Sequence, residues 1–170
     1  MRNRWYFADI GSVLCKRPNA VAIIKGSNNY PDIKGRVLFH QMNNEVLIRA
    51  EIVCLPTSND FCENPVFAFH IHEGKACGSP CGDEPFKDTG AHFNPCDCPH
   101  PYHKGDLPPL FCSKGKAFSM FLTDRFKVTD IIGRTVVIHK SPDDFTTQPS
   151  GAAGEKIACG VIMPLMRANH

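Results

Sequence analysis

The sequence predicts an all-β domain of the sandwich or barrel class. Three observations carry this reading. Seven short runs are rich in β-branched and aromatic residues, turn-forming residues separate them, and no segment holds a long apolar pattern of helical period with capping signals. In chain order the runs are AVAIIKG (20–26), KGRVLFHQ (34–41), EVLIRAEIVCL (45–55) and PVFAFHIH (65–72), then KAFSMFL (116–122), RTVVIH (134–139) and KIACGVIMPL (156–165). The third alternates apolar and polar residues in part, as a half-buried antiparallel strand does. The fourth carries two histidines one residue apart. Side chains on a strand alternate between faces, so His70 and His72 share one face, and Phe69 and Ile71 face the core on the other.

The totals bound the protein. A length of 170 residues suits one domain with at most a modest extension. Residues 1–19 read as such an extension of unknown role, with Trp5, Tyr6 and Phe7 in it, and residues 20–170 as the domain. A net charge of +2 is too small to argue for nucleic acid or an anionic membrane. No apolar run approaches the ~20 residues that span a bilayer. Asp9 and Gly11 interrupt the stretch MRNRWYFADIGSVLC where a signal peptide would need its apolar core, so no cleaved signal and a cytoplasmic location are expected. Nine cysteines would sit more comfortably in a secreted or periplasmic setting, and their odd number leaves at least one thiol without an intramolecular partner.

Two long connections break the rhythm of strands. Residues 73–115 hold half of the 14 prolines and five of the nine cysteines, and residues 140–155 form the second connection. A compact domain keeps loops of this length where they carry function or are tied down internally. The histidines concentrate in the same places. His70 and His72 lead into the first loop, His92, His100 and His103 lie within it, and His139 ends the strand before the second. A lone His-x-His is a weak signal that a solvent-facing strand explains equally well. Six of eight histidines gathered around two loops, with Asp106 three residues after His103, read instead as a transition-metal site, because imidazole suits copper and zinc.

Five ordered motifs then carry a family resemblance: FAFHIHEG, GAHFNP, HKGDLPPL, GRTVVIHKSPDDF and GAAGEKIACGVI. Together they resemble the copper/zinc superoxide dismutases, most closely the short-loop bacterial members, from about residue 20 to residue 164. The resemblance implies an eight-stranded Greek-key β-barrel, or flattened sandwich, with two long functional loops. It implies copper held by His70, His72, His92 and His139, and zinc held by His92, His100, His103 and Asp106, with the His92 ring shared. Asp143 matches the carboxylate that hydrogen-bonds ligands of both metals. Cys77 and Cys159 match the disulfide tying the first loop to the barrel. His92 and Lys156 match catalytic positions, Lys156 standing where many members have an arginine. The substrate implied is superoxide, and members of the family are often homodimers.

Two departures stand out. His100 and His103 are closer in sequence than in many members, and Pro101 between them excludes a regular helical turn, so their rings must converge through a tight turn. Lysine at 156 keeps the charge without arginine's planar fork. The remaining thiols leave alternatives open. Cys96 and Cys98 with His100 and His103 could form a small zinc knuckle, or the Cys-x-Cys pair could mark a copper-handling module on the same fold. Cys54 and Cys62 could bridge. Cys15, Cys81 and Cys112 have no assigned partner.

Overall fold

The structure, a computed structural model, describes residues 8–58 and 65–165. The expected strands form: β1 (Ala20–Gly26), β2 (Lys34–Met42), β3 (Glu45–Val53), β4 (Val66–Phe67), β5 (Phe69–His72), β6 (Leu110–Phe111), β7 (Lys116–Thr123), β8 (Thr135–His139) and β9 (Lys156–Pro164). The run at 65–72 divides at Ala68, whose N–H donates to Ser141 O and whose carbonyl accepts from His139 N, each at 2.9 Å. Counting β4 and β5 as one interrupted strand gives eight. Seven strands pair in the order β5-β8-β9-β1-β2-β3-β7, and β4 pairs with β6. β4 continues directly into β5 at one edge of the curled sheet, and β6 turns into β7 at the other. The two-stranded piece thus joins the edges of a barrel, with the long crossovers of a Greek key.

Alternation decides what fills the interior. On β1, Ala20, Ala22 and Ile24 are fully buried, while Ile23 points out and is 56% exposed. Phe39, Ile48, Phe69, Ile71 and Ile138 meet the same core. The outward side of β8 and β9 is buried too: Val137 and Cys159 lie under Phe86 and Cys77 of the first long loop. A disulfide joins Cys77 to Cys159 across 82 residues, and closing so long a loop in the unfolded chain stabilises the fold by roughly 4 kcal/mol.

Four short elements were not anticipated: β6, the helices α1 (Ala8–Leu14) and α2 (Val128–Ile131), and a 3-10 turn at Lys87–Thr89. None is long enough to show a hydrophobic period. The aromatics at 5–7 and Cys62 lie outside the described residues. No helix among the described residues is long and apolar enough to cross a membrane.

What positions the site is the return of the first long loop along the free edge of β5. His72 and His92 form one antiparallel bridge, and His70 and Asp106 another. Ile71 N donates to Gly105 O at 2.9 Å, Phe93 N donates to Ile71 O at 2.8 Å, and Gly105 N donates to Phe93 O at 2.9 Å. Gly105 permits this approach, because a Cβ there would overlap the Ile71 carbonyl oxygen and stand 2.9 Å from Phe93 N. Gly105→Ala should therefore prise the loop from β5. Loss of two or three backbone hydrogen bonds predicts about 2–3 kcal/mol of destabilisation, measurable by denaturant unfolding of the metal-free protein. An unchanged midpoint would show that the pairing contributes nothing.

Candidate metal centre

Each long-range pairing delivers one ligand to its neighbour. The β5–β8 register sets Phe69 against Ile138, so His139, the next residue of β8, arrives beside the start of β5. An irregularity between Ile138 and His139 then sets His139 opposite Lys156 on β9. The outcome is two buried clusters with one residue in common: His70, His72, His92 and His139, and His92, His100, His103 and Asp106. Within each, the candidate donor atoms lie within 4.8 Å of one another. Every member is less than 9% exposed.

The hydrogen bonds fix the tautomers. His70 Nε2 donates to Asp143 Oδ2 at 2.7 Å, and His100 Nε2 donates to Asp143 Oδ1 at 2.8 Å. An ionised carboxylate only accepts, so each Nε2 carries a proton there, and a neutral ring then has its lone pair on Nδ1. Both Nδ1 atoms are buried without a hydrogen-bond partner. His100 Nδ1 faces a second acceptor instead, Asp106 Oδ2 at 3.1 Å. His72 Nδ1 donates to Gly90 O at 2.9 Å and His139 Nδ1 donates to Gly154 O at 3.1 Å. Their Nε2 atoms, both left with lone pairs, face each other at 3.2 Å. His92 turns Nδ1 to Asp106 Oδ1 at 2.7 Å and to His103 Nδ1 at 3.4 Å, while its Nε2 is buried and unpartnered.

Acceptor atoms that converge in a buried space repel unless a cation or protons lie among them. The donor chemistry separates the clusters. Four imidazoles suit copper, and three imidazoles with one carboxylate suit the closed tetrahedral set that zinc prefers. The residues present therefore fit both metals.

The electrostatics favour the ligating forms. Burial first, then the neighbouring imidazole of His70, lowers His139 to a pKa of about 3. Burial likewise holds His72 well below, and His70 below, the ordinary histidine value, so these rings are neutral. For Asp143, burial pulls upward, but the hydrogen bonds from His70, Phe145 N and His100 outweigh it and hold the carboxyl well below the usual carboxylate range. For Asp106, burial is again outweighed, here by the His92 hydrogen bond and the surrounding imidazoles. Gly151 makes room for the Asp143 clamp. It sits at φ +70°, and a Cβ there would overlap Asp143 Oδ1 and stand 2.7 Å from His100 Nε2.

Lys156 approaches the all-histidine cluster through one carbonyl. Its Nζ donates to Thr89 Oγ1 at 2.8 Å and to Gly90 O at 3.3 Å, the same oxygen that orients His72. Burial lowers the pKa of this ammonium, with Glu84 opposing. The cleft above it, about 330 Å³, is lined by Asp83, Glu84 and Glu155 as well as Lys87 and Lys156.

Every residue anticipated from the sequence as a ligand falls into one of the two clusters. The close spacing of His100 and His103 is accommodated by the tight turn expected, closed by Tyr102 N donating to Pro99 O at 2.9 Å. Neither Cys96 nor Cys98 joins a cluster, because His100 and His103 turn inward to Asp106, and both thiols are free. The zinc-knuckle alternative is thereby replaced. Cys54 is a free, exposed thiol. Sequence reasoning missed Gln148, whose side chain pairs with the His100 backbone in both directions, at 3.0 and 2.7 Å. Contacts to backbone carbonyls leave no pattern in a sequence.

The profile of the family described as copper/zinc superoxide dismutase (SODC) matches residues 33–162. The chain is 33% identical over 150 residues to superoxide dismutase [Cu-Zn] 2 of Aquifex aeolicus, covering 79% of this chain and 82% of the relative. It is 35% identical over 134 residues to the superoxide dismutase [Cu-Zn] of Legionella pneumophila, covering 75% and 76%. It is also 32% identical over 155 residues to the copper chaperone for superoxide dismutase of Rattus norvegicus, covering 84% of this chain and 52% of that protein.

Proposed function

This chain belongs to the copper/zinc superoxide dismutase family, and from that premise we propose that it dismutates superoxide at the two joined clusters. Two superoxide anions and two protons give dioxygen and hydrogen peroxide. The observation that carries the reading is His92, a single buried ring common to an all-imidazole cluster and a three-imidazole, one-carboxylate cluster. His70, His72, His92 and His139 are assigned to copper, and His92, His100, His103 and Asp106 to zinc.

When bound, copper supplies one-electron exchange and zinc supplies a fixed positive charge with no redox chemistry of its own. The protein's part is orientation, proton handling and anion capture. The carbonyls of Gly90 and Gly154 and the carboxylate of Asp143 hold the copper-side rings in the ligating tautomer. His92 Nδ1 stays on the Asp106 side, leaving Nε2 as the atom that can take a proton and release it toward the reduced substrate.

Lys156 is assigned to drawing the anion in. The cleft mouth carries three carboxylates against two ammonium groups, so capture depends on the one cation seated deepest. Lys156→Ala is expected to lower kcat/KM about tenfold with metal content unchanged, and Lys156→Arg to restore most of it. Stopped-flow decay of superoxide measures this, and an unaltered rate in the alanine variant would remove Lys156 from the mechanism.

The test of the function is metal analysis and superoxide decay on one sample. Activity that disappears on chelation and returns with copper and zinc supports the enzyme. A fully loaded protein without turnover rejects it. A second reading, copper handling without turnover, draws on the similarity to a copper chaperone and on the free thiols Cys96 and Cys98. An imidazole-type Cu(II) visible spectrum favours the enzyme, whereas thiolate-bound Cu(I) favours handling.

A further inference from the structure

We propose that Arg125 is a positioning residue of the zinc cluster, holding the backbone of the short ligand loop in ligating form. Arg125 lies two residues after β7. Its Nη1 lies 2.9 Å from His103 O, 2.9 Å from Asp106 O and 3.3 Å from Pro101 O, and its two N–H groups serve all three, one of them shared between two carbonyls. Two of these carbonyls belong to residues of the zinc cluster itself, and the third lies between His100 and His103. Residues 100–106 supply three of the four zinc-side donors while forming no helix and no named strand. Their orientation must come from contacts other than a regular ladder, made within the loop and from outside it.

Those contacts divide the loop between them. Gly105 is tied to β5, His100 is held by Gln148 and Asp143, and the Asp106 carboxylate accepts from His103 N at 3.0 Å. The carbonyls of His103 and Asp106 set how those two residues turn their side chains toward His92; both accept from Arg125, and the His103 carbonyl also accepts from Asp106 N at 3.2 Å. A guanidinium suits the task, because its rigid plane fixes the direction of the Nη1 donors and its charge is permanent.

Two effects of the same residue have opposite signs, which makes the proposal sharp. A permanent cation beside a site for Zn²⁺ repels the metal, so on electrostatics alone Arg125→Met would tighten zinc binding. If positioning dominates, the same substitution weakens it. Loss of an outer-shell partner of a metal ligand costs about 10- to 100-fold in affinity, and we expect Arg125→Met in that range. Arg125→Lys, which keeps the charge without the planar fork, should also bind zinc more weakly than wild type.

The inference rests on the assignment of zinc to this cluster, and the experiment separates the two. Metal-free wild type, Arg125→Met and Arg125→Lys are titrated with zinc against a competing chelator, and with Co²⁺ to read the d–d bands of that site. The unfolding midpoint without metal and the copper affinity are measured alongside. Zinc affinity at least tenfold weaker with altered Co²⁺ bands, while copper affinity and the metal-free midpoint hold, supports the proposal. Zinc affinity equal to or tighter than wild type overturns it, as does an equal loss at both clusters, which marks general destabilisation. If Arg125→Met does not fold, Arg125→Lys decides by the same criteria. Absence of zinc binding in wild type overturns the zinc assignment, and the strap with it.

Discussion

His139→Ala should abolish turnover, with activity falling at least 100-fold. Loss of an outer-shell partner alone costs about 10- to 100-fold, and this substitution removes a proposed copper ligand outright. The variant should still fold. The change removes the hydrogen bond to the carbonyl of exposed Gly154, a loss of about 0.5–1.5 kcal/mol, but it also removes one of two lone pairs that face each other at 3.2 Å. The metal-free proteins should differ in their acid sensitivity as well. Burial lowers the folded-state pKa of His139 to about 3, below the ~6.5 of an unfolded histidine, so the unfolded chain binds the proton first. That contribution to stability is present above pH 6.5 and is lost as pH falls from there toward 3. Metal-free His139→Ala should therefore lose less stability over that interval than metal-free wild type. Full activity in the variant would reject the copper assignment.

Asp143→Asn should weaken both sites together. The carboxylate accepts from His70 Nε2 and His100 Nε2, one ring from each cluster, and in doing so keeps both Nδ1 atoms free of protons. Asparagine offers one acceptor and one donor. It can hold only one ring in that tautomer, and the other must turn away or carry its proton on the atom that should ligate. Copper and zinc affinities are each expected to fall about 10- to 100-fold. Competition titrations with the two metals measure this. Loss confined to one metal would show that Asp143 does not couple the clusters.

The gathering of histidines around two loops was legible in the sequence, but their division into two proposed ligand sets came from the family motifs. His70 and His72 share a strand face, as period 2 requires, and Phe69 and Ile71 fill the core on the other. The link from Cys77 to Cys159 was legible only through family motifs, since nine cysteines permit many pairings. The parts that stayed hidden are those held by backbone. β6 spans two residues and cannot show a period. The carbonyls of Gly90 and Gly154 orient His72 and His139, but any residue has a carbonyl, and only the fold brings these two within reach. Arg125 and Gln148 escaped for the same reason. Close packing of the loops also explains why Gly105 and Gly151 matter: each stands where a methyl group would meet a backbone or a ligand-holding oxygen.

The central claim is that the ring of His92 joins two metal sites. Anomalous diffraction from crystals of the copper- and zinc-loaded protein, collected on either side of each metal's absorption edge, tests it most directly. The account predicts one copper peak among His70, His72 and His139 on the Nε2 side of that ring, and one zinc peak among His100, His103 and Asp106 on the Nδ1 side. A single peak, or two peaks with His92 bound to neither or to only one, would contradict it.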